Sequence, residues 1–174
     1  MDINIYKYRM EKGVLYLSAL YFVVFIILGV SLYFLYEGGY FSAWFCSFVV
    51  AVIALMSLSI PRKIVVSDQS VQVRSLLDVT EIEIEDIASI KAIDRGSLKF
   101  TIPIFAGYGF FGYYGHFLNL RSFERVTIYA SKWHDFIEIT DVYDDKFYLT
   151  TSCRDVFIAD VEARIKQKER KTTP

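Results

Sequence analysis

From Val14 to Tyr36 the chain carries no charged residue. As a helix this run is roughly 35 Å long, enough to cross a ~30 Å hydrocarbon core with some tilt. A second uncharged stretch, Tyr40 to Ile60, follows directly after Glu37, Gly38 and Gly39 and ends at Pro61 and the basic pair Arg62-Lys63. Proline disfavours helical geometry in the residue before it, so Ile60 is a natural last residue. So short a link forces the two helices into an antiparallel hairpin. In a bilayer every backbone amide must be paired internally, and two full-length helices meet that demand. A single soluble core is thereby excluded: 54% of the 174 residues are hydrophobic, and the excess lies mostly before Pro61. A signal-peptide reading fails because its apolar region is shorter and no small-x-small cleavage site follows Tyr36.

The positive charges set an expected orientation. Lys7, Arg9 and Lys12 precede the first helix, Arg62 and Lys63 follow the second, and the turn between them holds Glu37 and no Lys or Arg. The positive-inside bias then places both termini in the cytoplasm, with the tight turn on the far side. Tyr6, Tyr8 and Tyr16 near one face, and Tyr33, Tyr36, Tyr40 and Trp44 near the other, suit interfacial aromatic belts. Within the helices, Ser18, Ser31, Ser47, Ser57 and Ser59 can each bond back to their own backbone, and Gly29, Ala43, Ala51 and Ala54 permit close approach. No intramembrane charge marks an ion path, which argues against a transporter or channel.

Beyond Pro61 the hydrophobic period is mostly two. Candidate strand segments are Ile64–Val66, Val71–Arg74, Thr80–Glu85, Ile87–Ile93, Lys99–Ile104, Arg125–Ala130, Phe136–Val142 and Lys146–Thr151, with Tyr143-Asp144-Asp145-Lys146 as a tight turn. The period then changes: Ser152 reads as a helix cap with Asp155 in the first turn. Phe157, Ile158, Val161 and Ile165 fall on one helical face. The expected fold is therefore α+β: a transmembrane hairpin (14–36, 40–60) followed over 62–174 by a seven-stranded antiparallel barrel that a C-terminal amphipathic helix caps.

That order resembles the pleckstrin-homology domain, and a membrane hairpin ahead of it resembles the bacterial pleckstrin-homology-like membrane proteins. The residues that carry the resemblance are Arg62–Asp68, Glu85–Ile90, Gly109–Gly115, Val126–Ala130 and the Ser152–Ile165 helix. The resemblance implies a binding module at the cytoplasmic face of a bacterial inner membrane. It does not imply phosphoinositide recognition, because the first hairpin turn is Ser67-Asp68-Gln69-Ser70 and Leu76 stands where a second Arg would be wanted.

The chemistry-bearing motifs are few. Gly107 to Gly112 matches GxGxxG, but a dinucleotide site needs a following helix, and none is expected here. The same stretch packs Phe105, Tyr108, Phe110, Phe111, Tyr113, Tyr114 and Phe117 among four glycines. Tyr108, Phe110, Phe111, Tyr113 and Tyr114 are expected either to contact the bilayer or a partner or to form a second core layer. Arg164, Lys166, Lys168, Arg170 and Lys171 are candidate contacts for anionic lipid. Cys153 with His116 or His134 lacks the third group of a thiol nucleophile, Cys46 and Cys153 lie in different compartments, and two histidines make no zinc site. Glu81, Glu83 and Glu85 read as the solvent face of a strand. A formal net charge of −1 removes the simplest case for nucleic acid. The expectation is a non-enzymatic binding or scaffolding module without cofactor or metal, contacting partner proteins or lipid headgroups, or else a self-associating structural subunit.

Overall fold

The computed structural model describes residues 3–8, 10–35, 39–76 and 78–172. Two apolar helices lead it, α1 (Lys12–Leu35) and α2 (Tyr40–Ser59). Both are long and apolar enough to cross a membrane, and only 17% and 6% of their most apolar windows are buried by the rest of the protein. A core helix of a soluble protein would be mostly covered. These leave Leu20, Val23, Ile26, Ile27, Phe48 and Val50 open, which in water would be a large unpaired apolar surface. Tyr36, Glu37 and Gly38 of the connecting turn lie outside the described residues, as does Arg9.

The helices approach where side chains are smallest. A Cβ on Gly29 would stand 3.1 Å from Cys46 Sγ, and Ser42 Oγ donates to the Gly29 carbonyl at 3.0 Å. Ala43, Ala51 and Ala54 face outward instead. Ser18, Ser31, Ser47 and Ser59 bond back to the carbonyl four residues earlier, as their spacing required.

The described residues then form ten strands in two sheets that do not close into a barrel. The first sheet has the order β1 (Asn4–Lys7), β2 (Lys63–Val66), β3 (Ser70–Arg74), β4 (Val79–Glu83), all antiparallel. The second has the order β5 (Ile87–Ile93), β9 (Phe136–Asp141), β10 (Lys146–Leu149), β8 (Glu124–Ala130), β7 (Tyr113–Asn119), β6 (Thr101–Tyr108). Its β10–β8 pair is parallel, with Lys146 opposite Val126. The expected seven-stranded antiparallel barrel is thus replaced by an open two-sheet arrangement. The parallel pair arises because the β9–β10 hairpin folds back so that β10 lies between β8 and β9.

β1 changes the topology most. It pairs with β2 in the register Lys7 to Lys63 and Asn4 to Val66. The helical pair is therefore the connection of a β-hairpin, and both of its ends leave the domain from adjacent strands. Tyr6 and Tyr8, expected in an aromatic belt, belong to the domain: Tyr6 packs edge-on against Phe157 at 5.0 Å, and Tyr8 Oη donates to the Ala130 carbonyl at 2.6 Å.

α3 (Arg154–Thr172) lies against β5 and β9 and buries Phe157 and Val161 completely. Those two join Ile64, Val66, Val71 and Val73 of the first sheet and Ile137, Ile139 and Leu149 of the second in one core. Phe117, Val126, Ile128, Phe136 and Tyr148 form another beneath β6–β8. Each fully buried Phe or Ile contributes about 1.5–3 kcal/mol from area alone.

Candidate functional site

The glycine–aromatic stretch is not an irregular loop. It is the β6–β7 hairpin, paired from Thr101–Asn119 down to Tyr108–Tyr113, with Gly109–Gly112 as its tip. The tip needs left-handed backbone: φ is 73° at Gly109, 54° at Phe111 and 145° at Gly112. The GxGxxG letters therefore serve a turn, followed by a strand where a nucleotide site requires a helix.

This tip docks on the apolar helices. Ser18 Oγ accepts the Phe111 N–H at 2.8 Å, and its proton faces the Val14 and Gly109 carbonyls at 2.8 and 3.2 Å. Tyr21 Oη donates to the Tyr108 carbonyl at 3.2 Å. Phe110 is 4% exposed and sits 5.7 Å from the Phe22 ring. Together with Tyr108 it lines an apolar cleft of about 330 Å³ whose other walls include Tyr21 and Phe25 of α1 and Val52, Ile53 and Met56 of α2. Phe111 is half-buried against Phe110 and Phe22. Tyr113 packs on Trp133 at 4.6 Å and on Tyr108 at 5.2 Å. Tyr114 is buried and donates to the Met56 carbonyl at 3.0 Å. Most of the aromatic surplus is thereby covered by the chain's own helices and by Trp133. Of the expected contact residues, Tyr108 keeps the largest exposed surface.

A hollow of about 590 Å³ opens beside this junction. Its floor is Ala106, Gly107 and Gly115, where side chains are missing for a reason. A Cβ on Gly107 would fall 2.4 Å from the Tyr114 ring, and one on Gly115 would fall 2.4 Å from the Phe105 carbonyl oxygen. Its walls are Phe105, Tyr114 and Tyr129, with Leu55, Met56 and Ser59 of α2 and Ser75 and Asp78 of the β3–β4 turn. Tyr129 Oη lies 2.6 Å from Thr80 Oγ1. Burial pushes the Tyr129 hydroxyl above its ordinary pKa, and the Asp78 charge adds to that rise. His116 at the rim bonds Thr127 through Nδ1 at 3.2 Å. A larger apolar hollow, about 740 Å³, lies between α1 and α2 on the far side of Phe22. Its Ser42 hydroxyl is already bonded to Gly29.

The basic C-terminal set is placed elsewhere. Arg164 is 8% exposed and bonds Asp160 at 3.1 Å and also Asp68. Lys168 pairs with Glu85 at 2.6 Å. Lys166 and Arg170 are exposed, and the Lys171 side chain lies outside the described residues. Asp68 stands at the end of β2 away from the helices, roughly 20 Å of extended chain beyond Arg62. That exceeds a Debye length of about 8–10 Å, and Arg164 is engaged within the domain, away from the helices. Arg164 instead ties the ends of the domain together: Asp160 also accepts from Asn4 and from Tyr6, whose hydroxyl is pushed up to about 12 by burial and by that carboxylate.

Among the described residues no three metal-ligating side chains cluster. His134 sits beside Glu11 and Asp135, and neither histidine bonds the exposed Cys153. Glu81 and Glu83 are exposed on β4 as the alternation required, and Glu81 accepts from Ser70 and Gln72. Sequence reasoning missed Asp78, Tyr129 and Ser42. A hollow framed by three elements leaves no periodic signal. No protein-family model, curated protein or solved structure matches the chain.

Proposed function

We propose that this is an integral protein of a bacterial inner membrane, with α1 and α2 spanning the bilayer and both termini in the cytoplasm. Its sheet domain is a non-enzymatic binding or scaffolding module held against the membrane face, where it contacts lipid headgroups or partner proteins. The observation that carries the reading is the β6–β7 hairpin held against α1 through Ser18, Tyr21 and Phe22 and against the end of α2 through Tyr114 and the Met56 carbonyl. It fixes the domain's attitude to the helices, so that one surface always faces the bilayer and the rest faces the cytosol. A tethered module of this kind meets membrane-bound partners at raised effective concentration. The pleckstrin-homology kinship enters through the order of strands followed by one closing helix. Supporting the cytoplasmic orientation are Lys7, Lys12, Arg62 and Lys63, all at the domain end of the helices.

The test uses Cys153, which is exposed, in a Cys46→Ser background. A membrane-impermeant maleimide added to intact cells should leave it unlabelled and should label it after permeabilisation. Labelling in intact cells would reverse the orientation. Release of the chain by alkaline carbonate would remove the membrane-spanning claim altogether.

A second reading is self-association through the edge of β6. This strand has no partner on its outer side among the described residues and exposes Phe100, Ile102, Ile104 and Phe105 around it. An apolar edge is a template for strand addition, although Pro103 and the adjacent register shift interrupt it. A detergent-purified monomer at high concentration would count against this reading.

A further inference from the structure

The hollow between the end of α2 and the β6–β7 hairpin has a chemical bias. Its walls carry one carboxylate, Asp78, and no Lys or Arg among the described residues that line it. The Asp78 Oδ1 atom accepts the Val79 N–H at 2.9 Å, which leaves Oδ2 open. Ser59 and Tyr114 each give their proton to a carbonyl, at 3.1 and 3.0 Å, so what they offer inward is lone pairs. The remaining polar groups are the Ser75 hydroxyl, the Tyr129 hydroxyl shared with Thr80, and His116, whose Nδ1 is engaged by Thr127; the one full charge in the lining is the Asp78 carboxylate. Three aromatic rings, Phe105, Tyr114 and Tyr129, frame the same space. A bare phosphate would find no cation there, so only the ammonium end of a zwitterionic headgroup suits the space. An ammonium group would find a carboxylate, hydroxyl acceptors and π faces.

Position narrows the occupant. Leu55, Met56 and Ser59 belong to the last turns of α2, within about 8 Å of its end at Ile60. If α2 spans the bilayer, as proposed above and on which this inference rests, the hollow lies at headgroup level. Leu55 and Phe105, 61% and 83% exposed, flank it on the lipid side. We infer that the hollow bounded by Asp78, Tyr114, Tyr129 and Ser59 binds a phospholipid with a primary ammonium headgroup, of the ethanolamine class. The primary amine has three N–H donors to match the acceptors, which a trimethylated headgroup lacks. The ammonium points toward Asp78, the phosphodiester stays at the open mouth in water, and the acyl chains run down past Leu55 and Met56.

The test titrates the full-length protein in detergent with equal amounts of dioleoyl phosphatidylethanolamine and dioleoyl phosphatidylglycerol, reading retained lipid by native mass spectrometry. The first lipid retained should favour ethanolamine by about tenfold, the sum expected of one charge-assisted contact and one cation–π contact at a partly exposed site. Asp78→Asn keeps the Val79 cap and should bring the ratio to near parity with an unchanged thermal midpoint. Replacing ethanolamine by choline lipid should cost most of the preference, and millimolar phosphoethanolamine should not displace the lipid. Equal retention of both lipids by the unaltered protein, a ratio unmoved in Asp78→Asn, or displacement by free phosphoethanolamine would each overturn the assignment. Carbonate extraction separates the two levels: a chain that stays in the membrane yet shows no headgroup preference refutes this inference alone.

Discussion

The junction between the helices and the domain can be weighed at one atom. Ser18 is 2% exposed, and its hydroxyl is the partner of the Phe111 N–H at the hairpin tip. Ser18→Ala removes that acceptor from a site that water does not reach, between α1 and the rings of Phe110 and Phe111. An orphaned buried donor costs about 1–3 kcal/mol, and loss of one hydroxyl leaves little cavity to add to it. The loss falls on local opening of the tip. Amide exchange across Gly109–Tyr113 should therefore accelerate roughly 5- to 150-fold, the Boltzmann equivalent of that range. The assay is hydrogen–deuterium exchange on the full chain in nanodiscs, read on peptides covering the tip. Ser31→Ala is the matched control: its hydroxyl also bonds back to its own helix, at 2.8 Å, but reaches nothing else and is exposed. Exchange in the control should stay within about twofold of the parent, since loss of such a back-bond costs the helix little. Equal protection of the tip in Ser18→Ala and the parent would refute the claim that α1 holds the hairpin.

Other consequences separate packing from charge. Gly115→Ala should lower the thermal midpoint, because a Cβ there meets the Phe105 carbonyl oxygen at 2.4 Å in a backbone with φ of 109°. Gly96→Ala, with nothing within 4 Å, should not. Arg164→Gln strips Asp160 of its cation at a site where both side chains are largely buried. It should cost about 2–3 kcal/mol, below the usual figure for a buried pair because Asp68 is half exposed, read as a lower thermal midpoint. In pH titration, hydrogen bonds from Lys146 and Lys132 hold Glu124 and Asp135 below the usual carboxylate range. Their stabilisation is complete above the ordinary values near 4 and is lost as pH falls through the depressed ones. The thermal midpoint should thus stay level from pH 7 to about 5 and fall below about 4, and Glu124→Gln should remove part of that fall.

The elements most visible in the sequence were those with long, uniform patterns. The two helices appear within two residues at each described end, because long uncharged apolar runs bounded by Pro61 and by charges mark helix limits plainly. The Tyr143–Lys146 turn and the Phe157–Val161 stripe were equally plain, whereas the alternating segment expected over Thr80–Glu85 ends as a strand at Glu83, and Ile84 is buried from the 3-10 turn Ile84–Asp86 that follows. β1 was not, since four residues beside three basic ones look like a topogenic flank, and what makes Asn4–Lys7 a strand is its partner β2 beyond the helices. The parallel β8–β10 pair was hidden for a related reason: period two does not say which strands are neighbours. At the site, the aromatic cluster was found but not its covering. Whether Phe110 meets a partner or its own helix depends on Ser18 and Phe22, far away in the chain. The acceptor-lined hollow was invisible, because Asp78, Tyr129 and Ser59 come together only when the hairpin docks on α2.

The central claim is that the β6–β7 tip lies against α1 within one chain, on the side where both helices enter the domain. A Cβ on Gly109 would stand 3.9 Å from the Leu17 Cβ, inside the range a disulfide requires. Leu17→Cys with Gly109→Cys, in a chain with Cys46 and Cys153 changed to Ser and oxidised mildly in native membranes, should form an intramolecular bond in most copies. Free thiols at both positions, or a bond only between copies, would contradict the account.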